Sequence, residues 1–297
     1  MRWVFSKLIM GVLVLGMLAG CGAGGKGSVI VGSKDFAEQY ILGQMYVLLL
    51  EDAGYDIERK LGLEGKPEDN AAGLHEEINL SVEYTGTGVL NALKLPVNSD
   101  RQVVYDTVSE GYREQFDLTW LDPAPMNNAQ ALAVPRSVSE QYGIDTISDM
   151  VANASELVMV GPPEFPERED GLPGLKENYG DFELKEYRAV GKALRYQAIA
   201  NGEADVTVAF GTDGEISALD LVVLEDDAAM FPPYQVAPVI RQTLLDEHPD
   251  IADILDELAP LLTSDTMRRL NYEVTGNQQE PVDVARSFLI DAGLLSE

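Results

Sequence analysis

Short β-branched runs alternate along the chain with longer stretches whose apolar residues recur every three or four positions. Residues 28–32 predict a strand. Residues 36–53 carry Ile41, Leu42, Met45, Leu48 and Leu49 at helical spacing, with Ser33 or Asp35 placed to cap the start. Gly54 ends that helix, and 55–61 alternate as a second strand. The same unit repeats as a helix near 67–74, a strand over 78–83, a helix over 89–95, a longer helix over 101–116 and a strand over 118–121. Alternating strands and helices of this kind build a mostly parallel sheet.

A second block begins near Leu132 and continues through strands at 157–161, 184–188, 205–210 and 221–225, with helices over 172–179 and 193–201 between them. After Pro232 and Pro233 comes the apolar run 236–240, then helices near 242–246, 251–262, 265–273 and 281–292. The pattern alone predicts an α/β protein of one or two domains.

One stretch stands out for its chemistry. Glu83-Tyr84-Thr85-Gly86-Thr87-Gly88 joins a predicted strand to a predicted helix, and glycines at such a turn allow a close approach to the backbone. The free N–H groups of a helix start attract an anion, and Tyr84 adds an aromatic face beside them. That combination suits a small zwitterion.

Further stretches of the same character follow in order: Gly32-Ser33-Lys34, Phe36-Ala37-Glu38-Gln39-Tyr40, Trp120 to Asn128, Asp170 to Leu175, Leu194 to Ala198, Ala209 to Gly214 and Phe231-Pro232-Pro233-Tyr234. Taken together, from residue 29 on, the chain resembles the substrate-binding proteins of osmoprotectant ABC transporters, the ProX and OpuC type that bind glycine betaine, choline and related quaternary amines. The resemblance implies a two-lobed periplasmic-binding-protein-like fold (type II) with a ligand cleft between the lobes. Lobe 1 would comprise 29–128 and 232–297, and lobe 2 would comprise 129–231, with crossings near 127–130 and 231–235. It also implies an aromatic box at Tyr84, Gln130, Phe210 and Tyr234, and a carboxylate site at Lys34, Thr87 and Arg168. Two box positions depart from the family's tyrosines. Phe210 keeps a ring and loses a hydroxyl, whereas Gln130 has no ring, so either the box is weaker or the ligand carries a polar group there.

Composition narrows the alternatives. Asp and Glu number 50 against 21 Lys and Arg, a net charge of -29, which repels nucleic acid and anionic lipid. Arg2 and Lys7, the eleven-residue apolar run from Leu8 to Leu18, and Leu18-Ala19-Gly20-Cys21 form a secretory leader that ends in a lipobox-like sequence. A run of that length is too short to span a bilayer. Residues 1–20 are therefore expected to be a signal peptide, Cys21 a lipidation site, and 21–28 a flexible tether. Cys21 is the sole cysteine, so no intrachain disulfide forms.

His75 and His248, in polar and exposed helical contexts, are the only histidines, and no metal-ligand cluster or nucleophile elbow appears. The expectation is a non-enzymatic, lipid-anchored extracytoplasmic receptor without cofactor or metal. It would hand a small quaternary amine or zwitterion to ABC permease and ATPase subunits, touching the membrane through its lipid only. The rivals are a receptor for another zwitterion, such as an amino acid, and a non-transport envelope lipoprotein that reuses the fold. Trp120, Tyr196 and Asp213 are expected to be structural, with Asp213 capping a helix.

Overall fold

The computed structural model describes residues 26–63, 77–96, 98–168 and 170–296. The leader, Cys21, most of the tether, the helix expected near 67–74 and His75 lie outside the described residues. Among the described residues ten strands form two five-stranded sheets. The first contains β1 (Ser28–Lys34), β2 (Asp56–Leu63), β3 (Leu80–Tyr84), β4 (Leu118–Trp120) and β10 (Val236–Arg241), in the order β2-β1-β3-β10-β4. The second contains β5 (Gln130–Pro135), β6 (Val158–Gly161), β7 (Glu186–Ala189), β8 (Val206–Phe210) and β9 (Leu221–Val223), in the order β7-β6-β8-β5-β9.

The two sheets have one plan. In the first, β1 pairs in parallel with β2 and β3, while β10 runs antiparallel between β3 and β4. In the second, β6 pairs in parallel with β7 and β8, while β5 runs antiparallel between β8 and β9. In each sheet, then, the antiparallel strand is the one that arrives directly from the other sheet. The chain crosses twice, between β4 and β5 and between β9 and β10, and the crossings touch. The Asn128 amide donates to the Tyr234 carbonyl at 3.0 Å, and the Tyr234 amide donates to Asn127 Oδ1 at 2.7 Å.

Helix Ala37–Asp52 is the centre of the first core. Its sequence is apolar on nearly every side, the signature of a helix covered all round. β1 and β2 cover one side, and helices Asp250–Asp256, Ser264–Thr275 and Pro281–Asp291 cover the rest. Ile41, Leu42, Met45 and Leu50 are fully buried, each contributing about 1.5–3 kcal/mol. A separate cluster around Leu132, Met159, Phe165, Val206 and Val208 fills the second sheet. Trp120 and Tyr196 are buried in satellite clusters, one beside each sheet.

Several local expectations are corrected. Neither Ser33 nor Asp35 caps helix Ala37–Asp52, whose start at Phe36 has no side-chain cap; Asp35 accepts the Tyr40 hydroxyl instead. The helix expected over 251–262 breaks into Asp250–Asp256 and a 3-10 turn at Ala259–Leu261, because Pro260 cannot donate to an α-helical ladder. The helix expected over 89–95 starts earlier, as a short turn at Thr85–Thr87 that continues as a π-helix over Gly88–Ala92. His248 ends a helix half-buried, edge-on to Tyr55 at 5.4 Å, rather than exposed. Among the described residues no helix is long and apolar enough to cross a membrane.

Candidate functional site

A cavity of about 580 Å³ opens between the two sheets at the crossings. Six aromatic rings line it: Phe36 and Tyr84 from the first sheet's side, Phe165 and Phe210 from the second, and Phe231 and Tyr234 from the second crossing. Thr87, Leu90, Asn128, Gln130, Glu164, Arg168 and Asp170 supply much of the remaining wall. Of the seven ligand residues expected from sequence, six, namely Tyr84, Thr87, Gln130, Arg168, Phe210 and Tyr234, meet in this one cavity. Lys34 does not line it. Its ammonium is half-buried and ion-paired with Glu83 at 2.6 Å, 5.7 Å from the centroid of the Tyr84 ring.

The glycines after Tyr84 serve a different purpose from the one expected. A Cβ on Gly86 would lie 2.8 Å from the Tyr234 ring and 2.9 Å from the Pro233 carbonyl, and one on Gly88 would lie 2.9 Å from Val108. These positions are glycine so that protein groups fit against them, Tyr234 above all. With only three residues before the π-turn, the Thr85–Thr87 segment is too short to act as an anion-binding helix start.

Arg168 is the cation of the cavity wall. Its Nε donates to Asp170 Oδ1 at 2.7 Å and its Nη2 donates to Asp170 Oδ2, a side-on pair that holds the Asp170 carboxyl below its ordinary range. Among the described residues no protein acceptor meets Arg168 Nη1. Gln130 supports the pair from β5, its amide donating to the Asp170 carbonyl at 2.7 Å. The residue that lacks the expected ring thus has a polar task. The pair is about half exposed, so solvent screens it and its contribution to stability is small.

The rings differ in their surroundings. Phe36 is 42% exposed and stacks on Tyr84 with ring centroids 6.4 Å apart, which leaves an apolar face at the cavity wall. Phe210 has the Arg195 guanidinium 5.7 Å from its centroid, and that cation draws on the ring's negative face. Asp213, expected to cap a helix, makes no cap hydrogen bond; its Oδ2 accepts from Arg195 at 2.6 Å, Tyr196 at 2.5 Å and the Phe210 amide at 2.8 Å. It therefore fixes the backbone from which the Phe210 ring projects.

Glu38 and Asn271 carry a support network that residue patterns did not reveal. Glu38 is 3% exposed and accepts from Tyr84, Asn128 and Asn271, and Asn271 also donates to the Thr212 carbonyl. Helix Ser264–Thr275 in this way ties the loop after β8 to the first sheet, helped by Arg268 donating to the Gly211 carbonyl. Phe36, Glu38 and Phe231 do lie within stretches that marked the resemblance, which was the one signal available for them. A smaller cavity of about 350 Å³, lined in part by Arg101, Asn127 and Arg268, has only the single ring of Phe231. It lacks the aromatic enclosure that a quaternary ammonium requires.

Over residues 27–291 the sequence matches the family described as the substrate binding domain of the ABC-type glycine betaine transport system. The chain belongs to that family. It is 33% identical over 277 residues to the glycine-betaine-binding protein of Pseudomonas aeruginosa, covering 90% of this chain and 88% of that one. It is also 33% identical over 267 residues to the ergothioneine transport permease/ergothioneine binding protein EgtU of Helicobacter pylori. That match covers 90% of this chain but 48% of the longer relative, so the chain spans about half of that protein's length. A crystal structure of a glycine betaine/carnitine/choline ABC transporter superposes with a TM-score of 0.85 at 29% identity, covering 90% of this chain and 98% of the other. The fold is the two-lobed α/β fold of periplasmic substrate-binding proteins, as expected.

Proposed function

We propose that this protein is an extracytoplasmic receptor that captures a quaternary ammonium osmoprotectant, such as glycine betaine or choline, and delivers it to an ABC importer. The observation that carries this reading is the enclosure of one cavity by six aromatic rings drawn from both sheets and a crossing. A quaternary ammonium donates no hydrogen bond. Ring faces and close apolar contact are what hold it, each desolvated ring contributing about 0.5–2 kcal/mol. Thr87 and Arg168 are the polar groups available to a ligand carboxylate; Lys34, beside the Tyr84 ring, is paired with Glu83.

In this reading residues 29–128 and 232–297 move as one lobe and 129–231 as the other, closing about the paired crossings. The protein performs no chemistry of its own. Its partners are a permease and an ATPase, and Cys21 carries a lipid that anchors it to the outer face of the cell membrane. Mass spectrometry of membrane-associated protein tests the anchor, for which an unmodified Cys21 would be decisive against.

Ligand-induced thermal shift tests the receptor reading. At a hundred times Kd a ligand adds about 2.7 kcal/mol to the native state. A clear upward shift with glycine betaine or choline is expected, and none with either at millimolar concentration would refute it.

One observation favours a second reading of the ligand. Gln130 and the Arg168–Asp170 pair make one wall polar where the resemblance implies a ring. A zwitterion with an additional hydrogen-bonding group, an amino acid or a larger betaine such as the one in the name of the Helicobacter relative, fits that wall better than glycine betaine.

A further inference from the structure

Among the described residues no cation pairs with the buried carboxyl of Glu38. Its Oε1 accepts the Tyr84 hydroxyl at 2.6 Å and Asn128 Nδ2 at 2.8 Å, its Oε2 accepts Asn271 Nδ2 at 2.8 Å, and the Thr212 hydroxyl is a fourth donor. The two asparagine amides can only donate to it and the two hydroxyls are able to donate, so all four partners suit a carboxylate and oppose the burial that pushes its value up. Burial, with Glu38 beside it, pushes the Tyr84 hydroxyl well above its ordinary value, so the phenol keeps its proton and remains the donor. The other ionised groups at this ring, Lys34 and Glu83, neutralise each other at 2.6 Å.

We propose that Glu38 is a positioning residue for the bound cation, acting through Tyr84. By accepting the hydroxyl it fixes the ring in the cavity wall and draws negative charge onto the phenol, which deepens the face that an ammonium meets. The physical basis is general. A hydrogen bond to an ionised acceptor in a dry site polarises its donor, and the attraction between a cation and a ring scales with the negative charge on the ring face. Phe210 has no hydroxyl to donate; each ring has a paired cation 5.7 Å from its centroid, Lys34 with Glu83 and Arg195 with Asp213, so the bond to Glu38 is what distinguishes Tyr84. The site is therefore polarised, with its cation-attracting side at Tyr84. This inference rests on the reading of the cavity as a quaternary ammonium site.

The test is a double-mutant cycle on the full chain, read by calorimetry with glycine betaine and choline. Wild type and Tyr84→Ala come first: binding by neither ligand refutes the receptor reading itself, and binding that survives Tyr84→Ala unchanged removes Tyr84 from the site. Next, Glu38→Gln and Tyr84→Phe are each expected to weaken binding by roughly three- to tenfold. The double variant is expected to be no weaker than either single one. Glu38→Gln weakening ligand as much in the Tyr84→Phe background as in wild type, or leaving affinity unchanged, would overturn the proposal. If Glu38→Gln does not fold, Tyr84→Phe carries the test through the ratio of affinities for choline and its uncharged isostere 3,3-dimethylbutan-1-ol. The ratio is expected to fall in Tyr84→Phe, and an unchanged ratio would overturn the proposal.

Discussion

Asn127 Oδ1 accepts the backbone N–H of Tyr234 at 2.7 Å, which joins the two interlobe crossings at the residue whose ring lines the cavity. Asn127→Ala leaves that half-buried N–H without its acceptor, a loss of about 1–3 kcal/mol. The melting temperature should fall and ligand affinity should fall with it, since the Tyr234 ring loses its fixed starting point. A melting curve and a titration on the same variant check both; an unaltered affinity would show that the crossing does not set the ring.

Gly86→Ala probes the same ring from beneath. The new methyl group meets Tyr234 ring atoms at 2.8 Å and a backbone carbonyl at 2.9 Å, so the ring and the second crossing must shift. Overpacking of this kind costs about 1–3 kcal/mol. The expected result is a folded protein with lower stability and weaker binding of every quaternary ammonium ligand.

Arg168 separates ligands by chemistry. Arg168→Ala is expected to weaken glycine betaine by about 1.5 kcal/mol, roughly tenfold, and to leave choline nearly unchanged, because choline has no carboxylate. Gln130→Tyr supplies the missing ring and removes the hydrogen bond to the Asp170 carbonyl, so it should tighten choline more than glycine betaine. Equal loss of both ligands in Arg168→Ala would contradict the assignment of the carboxylate to this side chain.

The buried carboxyl of Glu38 gives stability a pH dependence of known sign. Burial pushes it up from its ordinary value of 4.5, against four hydrogen bonds that pull it down. A carboxyl with a raised folded value contributes fully below its unfolded value, and that contribution is lost as pH rises through the folded one. Glu38→Gln cannot ionise. Its melting temperature should therefore rise relative to wild type as pH increases above the ordinary carboxyl range, and a difference independent of pH would contradict a strained buried carboxylate.

Much of this arrangement was legible along the chain because it is local. Helix 101–116 was placed to the residue, and the recurring strand-helix units foretold an α/β fold of one or two domains, while the division into two lobes came from the family resemblance. What sequence could not show depends on contacts between distant positions. Glu38 and Asn271 meet across 233 residues, and nothing in the spacing of either announces the other. The glycines at 86 and 88 suggested ligand access because a pattern does not reveal what fills the space above them, which is Tyr234 in one case and Val108 in the other. Lys34 was expected to line the cavity, but its ammonium is paired with the carboxylate of Glu83, part of the very stretch that drew attention, beside the Tyr84 ring. Gln130 read as a lost ring, and its bond to the Asp170 carbonyl appears only once β5 lies beside the loop that carries Arg168.

Isothermal titration calorimetry of the soluble chain against glycine betaine, choline, carnitine, ergothioneine, proline and glutamate tests the central claim most directly. The account predicts saturable one-to-one binding of at least one quaternary ammonium, weakened by up to about thirtyfold in Tyr84→Ala and in Tyr234→Ala. Tighter binding of an amino acid without a quaternary centre than of any quaternary ammonium, undisturbed by those two substitutions, would contradict it.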